Sequence, residues 1–402
     1  MVMEQEHATG PGGVPALSVD IGQPGPVLSH FEEWDRLRDR YPAFWNEVGD
    51  GHWVLTRFES MRRALQHVEV FSTESTIVSD PNPDYLLLPL FLPPDLHTKY
   101  RQLYNARFSP GAVNRLSPIA RQACLETIER FRDRGHCEFM EEFADVYPTQ
   151  VFLIALNLPL EDTDQFVTWV RAIFKGLAGV DQEGGAAAQG EVMQYMERLV
   201  DDRMANPRDP DTDMVTYLVQ AKIDGEPISR EYLLSMLMTL VLAGLDTTKS
   251  QLGYNFHYLA THPEDRRRLV EDPGLIPSAI EELLRFNAFV PPARKLQSDI
   301  EYEGCPMKKG QMVLMPLWSG CRDTGAFEDA DKVVIDRNPN RHIAFGAGPH
   351  RCAGAHLARR ELLIAMEEWH RLIPDYEIVT DEPLTEHGWQ CGLDLLPLSW
   401  SV

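Results

Sequence analysis

The chain has 402 residues, of which 44% are hydrophobic and 25% charged, so it is an ordinary globular sequence long enough to bury a large core. Its 38 basic and 61 acidic residues give a net charge of −23, which repels phosphate backbones and anionic lipid and argues against nucleic acid or a membrane as a partner. The cysteines form no Cys-x-x-Cys pair and indicate a reduced, cytoplasmic protein with mostly buried thiols: Cys124, Cys137, Cys305, Cys321, Cys352 and Cys391.

The first 26 residues carry two early glutamates, Glu4 and Glu6, and have no apolar stretch typical of a signal peptide. We therefore predict a loose, extended N-terminal arm over residues 1–26. No linker or repeat interrupts the remainder of the sequence. Residues 27–402 are predicted to form one domain with a β-rich lobe and a helix-rich lobe.

The first third of that domain combines a strand, a short helix and a long loop. Residues 52–57 follow an Asp-Gly turn and are typical of a strand, and residues 61–67 of a short helix. Residues 76–96 contain five prolines but also the run Leu-Leu-Leu-Pro-Leu-Phe-Leu. Because loops normally face water, we expect this apolar loop to fold over a cavity, with Tyr85 as its polar side chain.

Helices dominate the middle of the chain. The predicted helices span 97–131, 141–156, 161–175, 189–205 and a long segment from the N-cap Ser229 to about His262. The apolar run 233–245 is too short to cross a bilayer and is followed by Asp246, so we expect a buried core helix.

The last third mixes strands with two further helices. One helix follows Pro277, strands and turns alternate over 294–318, and another helix runs from just after Cys352 to about Leu372. The last 25 residues are typical of a β-hairpin and coil. The predicted fold class is mainly α with a smaller β-rich part (α+β).

One cysteine, Cys352, stands in the Gly-rich stretch Phe-Gly-Ala-Gly-Pro-His-Arg-Cys-Ala-Gly at the start of a helix. The glycines allow positive φ or close approach of the backbone to a large flat group, and a helix N-terminus favours a thiolate. Such a thiolate is a nucleophile or a metal ligand. The spacing Gly346, Gly348 and Arg351 lacks the third glycine of a dinucleotide-binding loop.

A second pattern lies inside the long predicted helix, where Ala-Gly-Leu-Asp-Thr-Thr occupies 243–248. A glycine and a carboxylate in an apolar helix are costly, at roughly 1 kcal/mol for the glycine alone. Without other context, a helix kink with threonine hydroxyls bonded back to carbonyls explains the pattern equally well.

Two weaker patterns accompany these. Glu282 and Arg285 are spaced i, i+3 on one helix face, as in many solvated helices. His97, Arg101, Arg294 and His350 form a dispersed set of cations, and surface charge is the plain explanation for His97 alone.

In combination, the patterns resemble the cytochrome P-450 family, whose haem-binding signature Phe-x-x-Gly-x-x-x-Cys-x-Gly matches Phe345, Gly348, Cys352 and Gly354. The resemblance covers nearly the whole chain and is nearest to the soluble bacterial, camphor-hydroxylating type. It implies a long central helix over haem b, with the Cys352 thiolate as the axial ligand of the iron. It further implies proton transfer by Asp246 and Thr247, a structural Glu282–Arg285 pair, and haem propionates bound by His97, Arg101, Arg294 and His350.

The same resemblance implies a monooxygenase that hydroxylates its substrate with O2 and two electrons from an iron–sulfur ferredoxin and its NAD(P)H-dependent reductase. A small, mostly apolar, terpenoid-like substrate with one oxygen is expected, because Tyr85 stands among leucines. Oxidation of a larger lipid, steroid or natural-product intermediate, use of peroxide, and a non-catalytic haem sensor are the alternatives. The predicted pocket residues are Tyr85, Thr239, Leu242, Ala243, Val290 and Trp389.

A local excess of basic residues predicts where the ferredoxin docks. Residues 97–135 contain eight lysines or arginines against three acids, and Arg351, Arg359 and Arg360 lie beside Cys352. A solvated, arginine-rich turn is the simpler explanation for residues 130–134.

Overall fold

A computed structural model describes residues 9–387 and 391–402. Helix predominates in it, with short strands, as predicted. The helices are α1 Ser29–Arg40, α2 Phe58–Gln66, α3 Pro94–Arg107, α4 Pro110–Glu129, α5 Val146–Leu156, α6 Thr163–Leu177, α7 Gln182–Ala205, α8 Met214–Gln220, α9 Arg230–Gly244, α10 Asp246–Thr261, α11 Pro263–Glu271, α12 Ile276–Phe286, α13 Leu317–Cys321 and α14 Ala355–Leu372.

The strands are short and form several small sheets. They are β1 Ala16–Leu17, β2 Gly25–Pro26, β3 Ala43–Asn46, β4 His52–Leu55, β5 Phe71–Ser72, β6 His136–Glu138, β7 Lys222–Ile223, β8 Glu226–Pro227, β9 Ala293–Leu296, β10 Ile300–Tyr302, β11 Cys305–Met307, β12 Met312–Leu314, β13 Glu377–Ile378, β14 Thr385–His387, β15 Gly392–Leu393 and β16 Pro397–Ser399.

The largest sheet has six strands in the order β1-β3-β4-β12-β9-β5 and places Arg294 of β9 in the interior. β12 pairs parallel with β4 and antiparallel with β9. One apolar cluster packs around this sheet, and a second lies among α3 and α5 to α9. A larger cluster packs among α4, α5, α10, α12 and α14.

The N-terminal arm is less loose than predicted. Ala16–Leu17 is buried and pairs parallel with Trp45 and Asn46 of β3, and Val19 is also buried. Apolar side chains at these positions gain more from burial than the backbone loses in entropy, so the segment from residue 16 is part of the sheet. The prediction of a loose arm is wrong for these residues.

Two predicted long helices are each divided. The segment 97–131 becomes α3 and α4, because the Ser109 hydroxyl accepts a hydrogen bond from the Ala112 N–H and Pro110 takes the first helical position. The predicted helix 230–262 becomes α9 and α10, which are interrupted at Leu245. Ser229 is the N-cap of α9 as predicted, with its side chain accepting from the Tyr232 N–H.

Candidate active site

The loop before α14 is held in a tight turn by two glycines. Gly346 and Gly348 have φ of +71° and +72°, and the Cys352 N–H donates to the Phe345 carbonyl over 2.9 Å. A Cβ on Gly348 would lie 2.5 Å from the carbonyl oxygen of Leu65 at the end of α2. Position 348 therefore requires glycine both for its φ and for its space.

Cys352 is exposed as a whole residue, whereas the other five cysteines are buried. Its side chain opens onto a cleft of about 230 Å³ that also borders Arg101 and Arg351. Desolvation by the surrounding protein raises the pKa of the Cys352 thiol, while the Gly354 N–H and the guanidinium groups of Arg101, Arg351 and Arg359 act to lower it. The expected support for a thiolate is present, but desolvation outweighs it.

The four predicted cations come together from three distant parts of the chain. His97 and Arg101 lie on α3, Arg294 on β9 and His350 in the cysteine loop, and the His97 and His350 rings are 4.0 Å apart. Burial lowers the pKa of Arg294 to about 10. Burial, then His97, Arg294 and Arg101, lower the pKa of His350 to about 3. Burial thus keeps the two imidazoles neutral beside two guanidinium groups, and the buried charge of Arg294 carries an electrostatic cost.

A haem fits this donor set. Among the residues that the structure describes, no carboxylate pairs with these four side chains, and Arg294 Nε and His350 Nδ1 are buried without a hydrogen-bond partner. Two propionates would supply the missing acceptors and counter-charge. Within the same residues, no group of three or more His, Cys, Asp or Glu side chains could hold a metal ion, so iron at Cys352 would have to bring further ligands, as a porphyrin does.

Asp246 and Thr247 lie at the interruption of the central helix, where α9 ends at Gly244 and α10 starts at Asp246. The Thr247 hydroxyl donates to the Ala243 carbonyl over 2.8 Å. The side chain of Thr247 is half-buried and that of Ala243 is exposed, so the break faces open space. The kink and the back-bonded threonine hydroxyl of the structural explanation are therefore present, with the acid and the alcohol at neighbouring positions of the break.

A polar cleft of about 300 Å³ adjoins Asp246 and was not anticipated from the sequence. It is lined in part by Asp145, Arg171 and Lys249, and Lys249 Nζ lies 2.9 Å from Asp145 Oδ1. Burial acts to lower the pKa of Lys249, but the carboxylates of Asp145 and Asp246 outweigh it and raise that pKa. Asp246 thus borders this charged cleft and directly precedes Thr247 in the chain.

The Glu282–Arg285 pair is fully buried and bidentate, with both N–H···O distances 2.8 Å. Arg285 also donates to the carbonyls of Cys321, Ala330 and Lys332, and Glu282 accepts from the Val334 N–H. The pair therefore ties α12 to the segment that leads into the cysteine loop.

The predicted pocket residues are only partly brought together. Thr239, Leu242 and Ala243 lie on α9, and the Thr239 hydroxyl bonds to the Ser235 carbonyl over 2.9 Å. Val290 is partly buried, and Trp389 lies outside the described residues.

Tyr85 is 39% exposed and interacts with a carboxylate of its own loop. Burial, together with the charge of Asp80 and a hydrogen bond to it, raises the pKa of Tyr85 to about 12. The phenol thus has an internal partner in Asp80.

Some of the basic residues in 97–135 form ion pairs with carboxylates elsewhere in the chain, and others do not. Lys99, Arg121 and Arg134 form ion pairs with Asp224, Glu367 and Glu142, all outside this stretch. Long-range pairs thus neutralise part of the local excess. Arg101 and Arg351 remain on the cleft beside Cys352, with Arg115 exposed nearby on α4.

Comparisons with known proteins identify relatives of the chain. The family model described as "Cytochrome P450" matches residues 161–273 and 274–381. The chain is 33% identical over 356 residues to the probable cytochrome P450 127A1 of Sinorhizobium fredii, covering 88% of this chain and 84% of that one. It is 32% identical over 388 residues to the mycinamicin IV hydroxylase/epoxidase of Micromonospora griseorubida, covering 93% and 94%. The crystal structure of CYP101J2 superposes with a TM-score of 0.88 at 28% identity, covering 98% and 100%.

None of the helices in the described part of the chain combines the length and the apolar character that crossing a membrane requires.

Proposed function

Because the chain belongs to the cytochrome P450 family, we propose that it is a monooxygenase in which Cys352 is the axial ligand of haem b and a small, mostly apolar molecule is hydroxylated. The family is one of oxidoreductases, and its fold carries protohaem IX with a cysteine thiolate on the iron. When bound, this group uses O2, two electrons and two protons to insert one oxygen atom into the substrate and release the other as water.

One observation carries the assignment of the site. Cys352 stands just before α14 on a cleft that Arg101 also borders, and His97, Arg101, Arg294 and His350 have no carboxylate partner among the described residues. In this proposal His97, Arg101, Arg294 and His350 hold the propionates, while Phe345, Gly348 and Gly354 shape the loop around the sulfur.

The assignment is tested by the carbon monoxide spectrum of the reduced protein. We expect the strongly red-shifted band of a sulfur-ligated porphyrin in the natural protein and its loss in Cys352→Ser. Cys305→Ala, which changes a buried cysteine of β11, is the matched control and should keep the band. A colourless protein from haem-replete cells, or a spectrum typical of imidazole ligation, would contradict the proposal.

The acid and the alcohol at the helix break are proposed to supply protons. Asp246 borders the charged cleft and takes up protons there, and the Thr247 hydroxyl, one residue further, passes them inward. The Thr247–Ala243 hydrogen bond orients the hydroxyl. This pair also favours O2 rather than peroxide as the oxidant, since peroxide needs no proton delivery of this kind.

A small, terpenoid-like substrate with one oxygen is supported by the apolar loop over residues 86–92 and by Leu242, Ala243 and Val290. Tyr85 could hydrogen-bond the substrate oxygen only by exchanging its partner Asp80. A second candidate, a larger natural-product intermediate, is favoured by the likeness to a mycinamicin IV hydroxylase/epoxidase.

A panel of terpenoid ketones, steroids and macrolides, titrated while the spin state of the haem is followed, separates the two candidates. Terpenoid ketones should shift the spin state at the lowest concentrations, and Tyr85→Phe should weaken them while leaving hydrocarbons of the same shape unchanged. Tighter binding of the macrolides would favour the second candidate.

Members of the family receive their electrons from a redox partner, and an acidic iron–sulfur ferredoxin with its NAD(P)H-dependent reductase is proposed here. The basic groups on the cleft beside Cys352 support this choice, because they give an otherwise strongly acidic protein a positively charged surface there. Such a surface attracts an acidic partner.

A further inference from the structure

Two adjacent glutamates of α12 face two different sides of the cysteine loop. Glu282 accepts a hydrogen bond from Val334 in the segment before the loop. Glu281 instead accepts from Arg359 of α14. Arg359 Nε and Nη2 donate to the two carboxylate oxygens of Glu281 over 2.6 and 2.8 Å. This fork geometry fixes the plane of the guanidinium group as well as its position.

His342 supplies a third donor to the same carboxylate. Its Nδ1 accepts from the Ala344 N–H over 3.2 Å, so Nε2 carries the proton and donates to Glu281 Oε2 over 3.1 Å. Burial acts to raise the pKa of Glu281, but the hydrogen bonds from Arg359 and His342 outweigh it and lower that pKa to about 2. Glu281 is therefore a firmly ionised partner for Arg359.

The orientation imposed on Arg359 directs it at the cysteine loop. Its guanidinium carbon lies 4.4 Å from the centre of the Phe345 ring, in a cation–π contact. The carbonyl of Phe345 accepts the Cys352 N–H, and Arg359, together with Arg101 and Arg351, acts to lower the pKa of the Cys352 thiol. Glu281, Arg359 and Phe345 thus form a connected path to the backbone of Cys352.

We propose that Arg359 is a positioning residue that sets the reduction potential of the centre ligated by Cys352, and that Glu281 both orients Arg359 and offsets its charge. This inference rests on the proposed function, because it takes Cys352 as the axial ligand. A cation beside the thiolate stabilises the extra electron of the reduced state, and an anion has the opposite effect. The two members of the pair therefore have opposite effects on the potential.

The test is a dye-mediated spectroscopic titration of the reduction potential of the holoenzyme. Arg359→Gln should lower the potential and Glu281→Gln should raise it, because the amide still accepts from Arg359 but no longer offsets its charge. Each shift should be roughly threefold to tenfold in the equilibrium constant, where tenfold is about 59 mV for one electron.

Arg360→Gln is the matched control. Arg360 is the next residue of the same helix and carries the same charge, but it donates to Asn114 of α4 over 2.7 Å instead. Its loss should leave the potential unchanged. A role limited to holding the loop would produce loss of the thiolate band, not opposite shifts of the potential.

Equal shifts in Arg359→Gln and Arg360→Gln, or no rise in Glu281→Gln, would overturn the inference. If Arg359→Gln loses its thiolate band, Arg359→Lys is measured in its place. Since that variant keeps the charge, its potential should stay closer to that of the natural protein than Glu281→Gln does, and the reverse order would also overturn the inference. A natural protein without the thiolate band contradicts the proposed function, whereas a normal band with unmoved potentials contradicts this inference alone.

Discussion

Gly346 and Gly348 are two residues apart, share nearly the same φ, and differ in what surrounds them. A Cβ on Gly346 would meet nothing within 4 Å, whereas one on Gly348 would collide with the backbone of Leu65 and Gln66. The pair therefore separates the conformational requirement for glycine from the steric one.

We predict that Gly346→Ala lowers the free energy of unfolding by about 1–2 kcal/mol, the cost of a positive φ. Gly348→Ala should lose a further 1–3 kcal/mol or so, because the α2 backbone must move. Urea unfolding followed by circular dichroism measures both values. Equal losses in the two variants would show that the approach to α2 carries no cost.

Thr247 donates to Ala243 in the described geometry, and its hydroxyl is proposed to pass protons inward. In Thr247→Ala we expect NAD(P)H consumption to continue while product falls severalfold and peroxide rises, since electrons arrive without their protons. Product and peroxide are measured per NAD(P)H consumed. Thr248→Ala, at the buried neighbouring threonine, is the control, and full coupling in Thr247→Ala would remove the assignment.

At the scale of elements, the apolar loop before α3 is attached to the central helix by one side chain. The Ser235 hydroxyl of α9 donates to the Leu86 carbonyl over 2.7 Å and accepts from the Leu88 N–H over 3.1 Å. The Tyr104 hydroxyl of α3 also donates to the Met236 carbonyl of α9 over 2.6 Å. The backbone of the loop is thus held to α9 through the Ser235 side chain as well as by apolar contacts.

We predict that Ser235→Ala increases local opening of residues 86–88. The loss of two buried hydrogen bonds costs about 1–2 kcal/mol, so amide exchange there should be roughly 5- to 30-fold faster. Hydrogen exchange with mass spectrometry measures the effect. Thr98→Ala, which removes a hydroxyl bonded within α3, should leave the loop unchanged. Unaltered exchange in Ser235→Ala would mean that apolar packing alone holds the loop.

At the scale of the whole molecule, a net charge of −23 coexists with Arg101 and Arg351 beside Cys352, which form no ion pair with a residue that the structure describes. We predict that electron transfer from an acidic ferredoxin slows several-fold between 50 and 200 mM salt, roughly in line with screening. Arg115→Glu should slow it further at low salt. Arg132→Glu, which makes the same change in net charge at a residue paired with Asp133, should have a smaller effect. A flat salt profile would exclude electrostatic docking.

Buried neutral histidines give the whole molecule a predictable response to acid. Burial lowers the pKa of His52 and of His370 to about 4, from an ordinary value of 6.5. Between pH 6.5 and 4 the unfolded chain takes up protons that the folded chain refuses, so stability falls as the pH falls. Each histidine should contribute on the order of 1–3 kcal/mol to that fall.

In His52→Gln the glutamine can still accept from Asn46, so the variant should fold and show a shallower loss of stability between pH 6.5 and 4. His136→Gln, at an exposed histidine, is the control. Urea unfolding at several pH values measures the slope. An unchanged slope in His52→Gln would mean that His52 does not resist protonation in the folded protein.

The sequence by itself determined the features that depend on neighbouring residues. The mainly α fold class, the family and the haem with its cysteine thiolate were predicted from it and are confirmed. The cysteine signature is contiguous, and the positive φ of Gly346 and Gly348 is a requirement of the local backbone. The roles of individual site residues remain predictions.

Only the tertiary structure decided which distant residues meet. The Ala-Gly-Leu-Asp-Thr-Thr pattern allowed a kink at 243–248, but the apolar periodicity did not show that the helix divides into α9 and α10 at Leu245. The contacts Glu281–Arg359 and Ser235–Leu86 join residues 78 and 149 positions apart. The close approach of His97 to His350 likewise depends on packing of the complete core, since charges and hydroxyls carry no signal in the sequence for their distant partners.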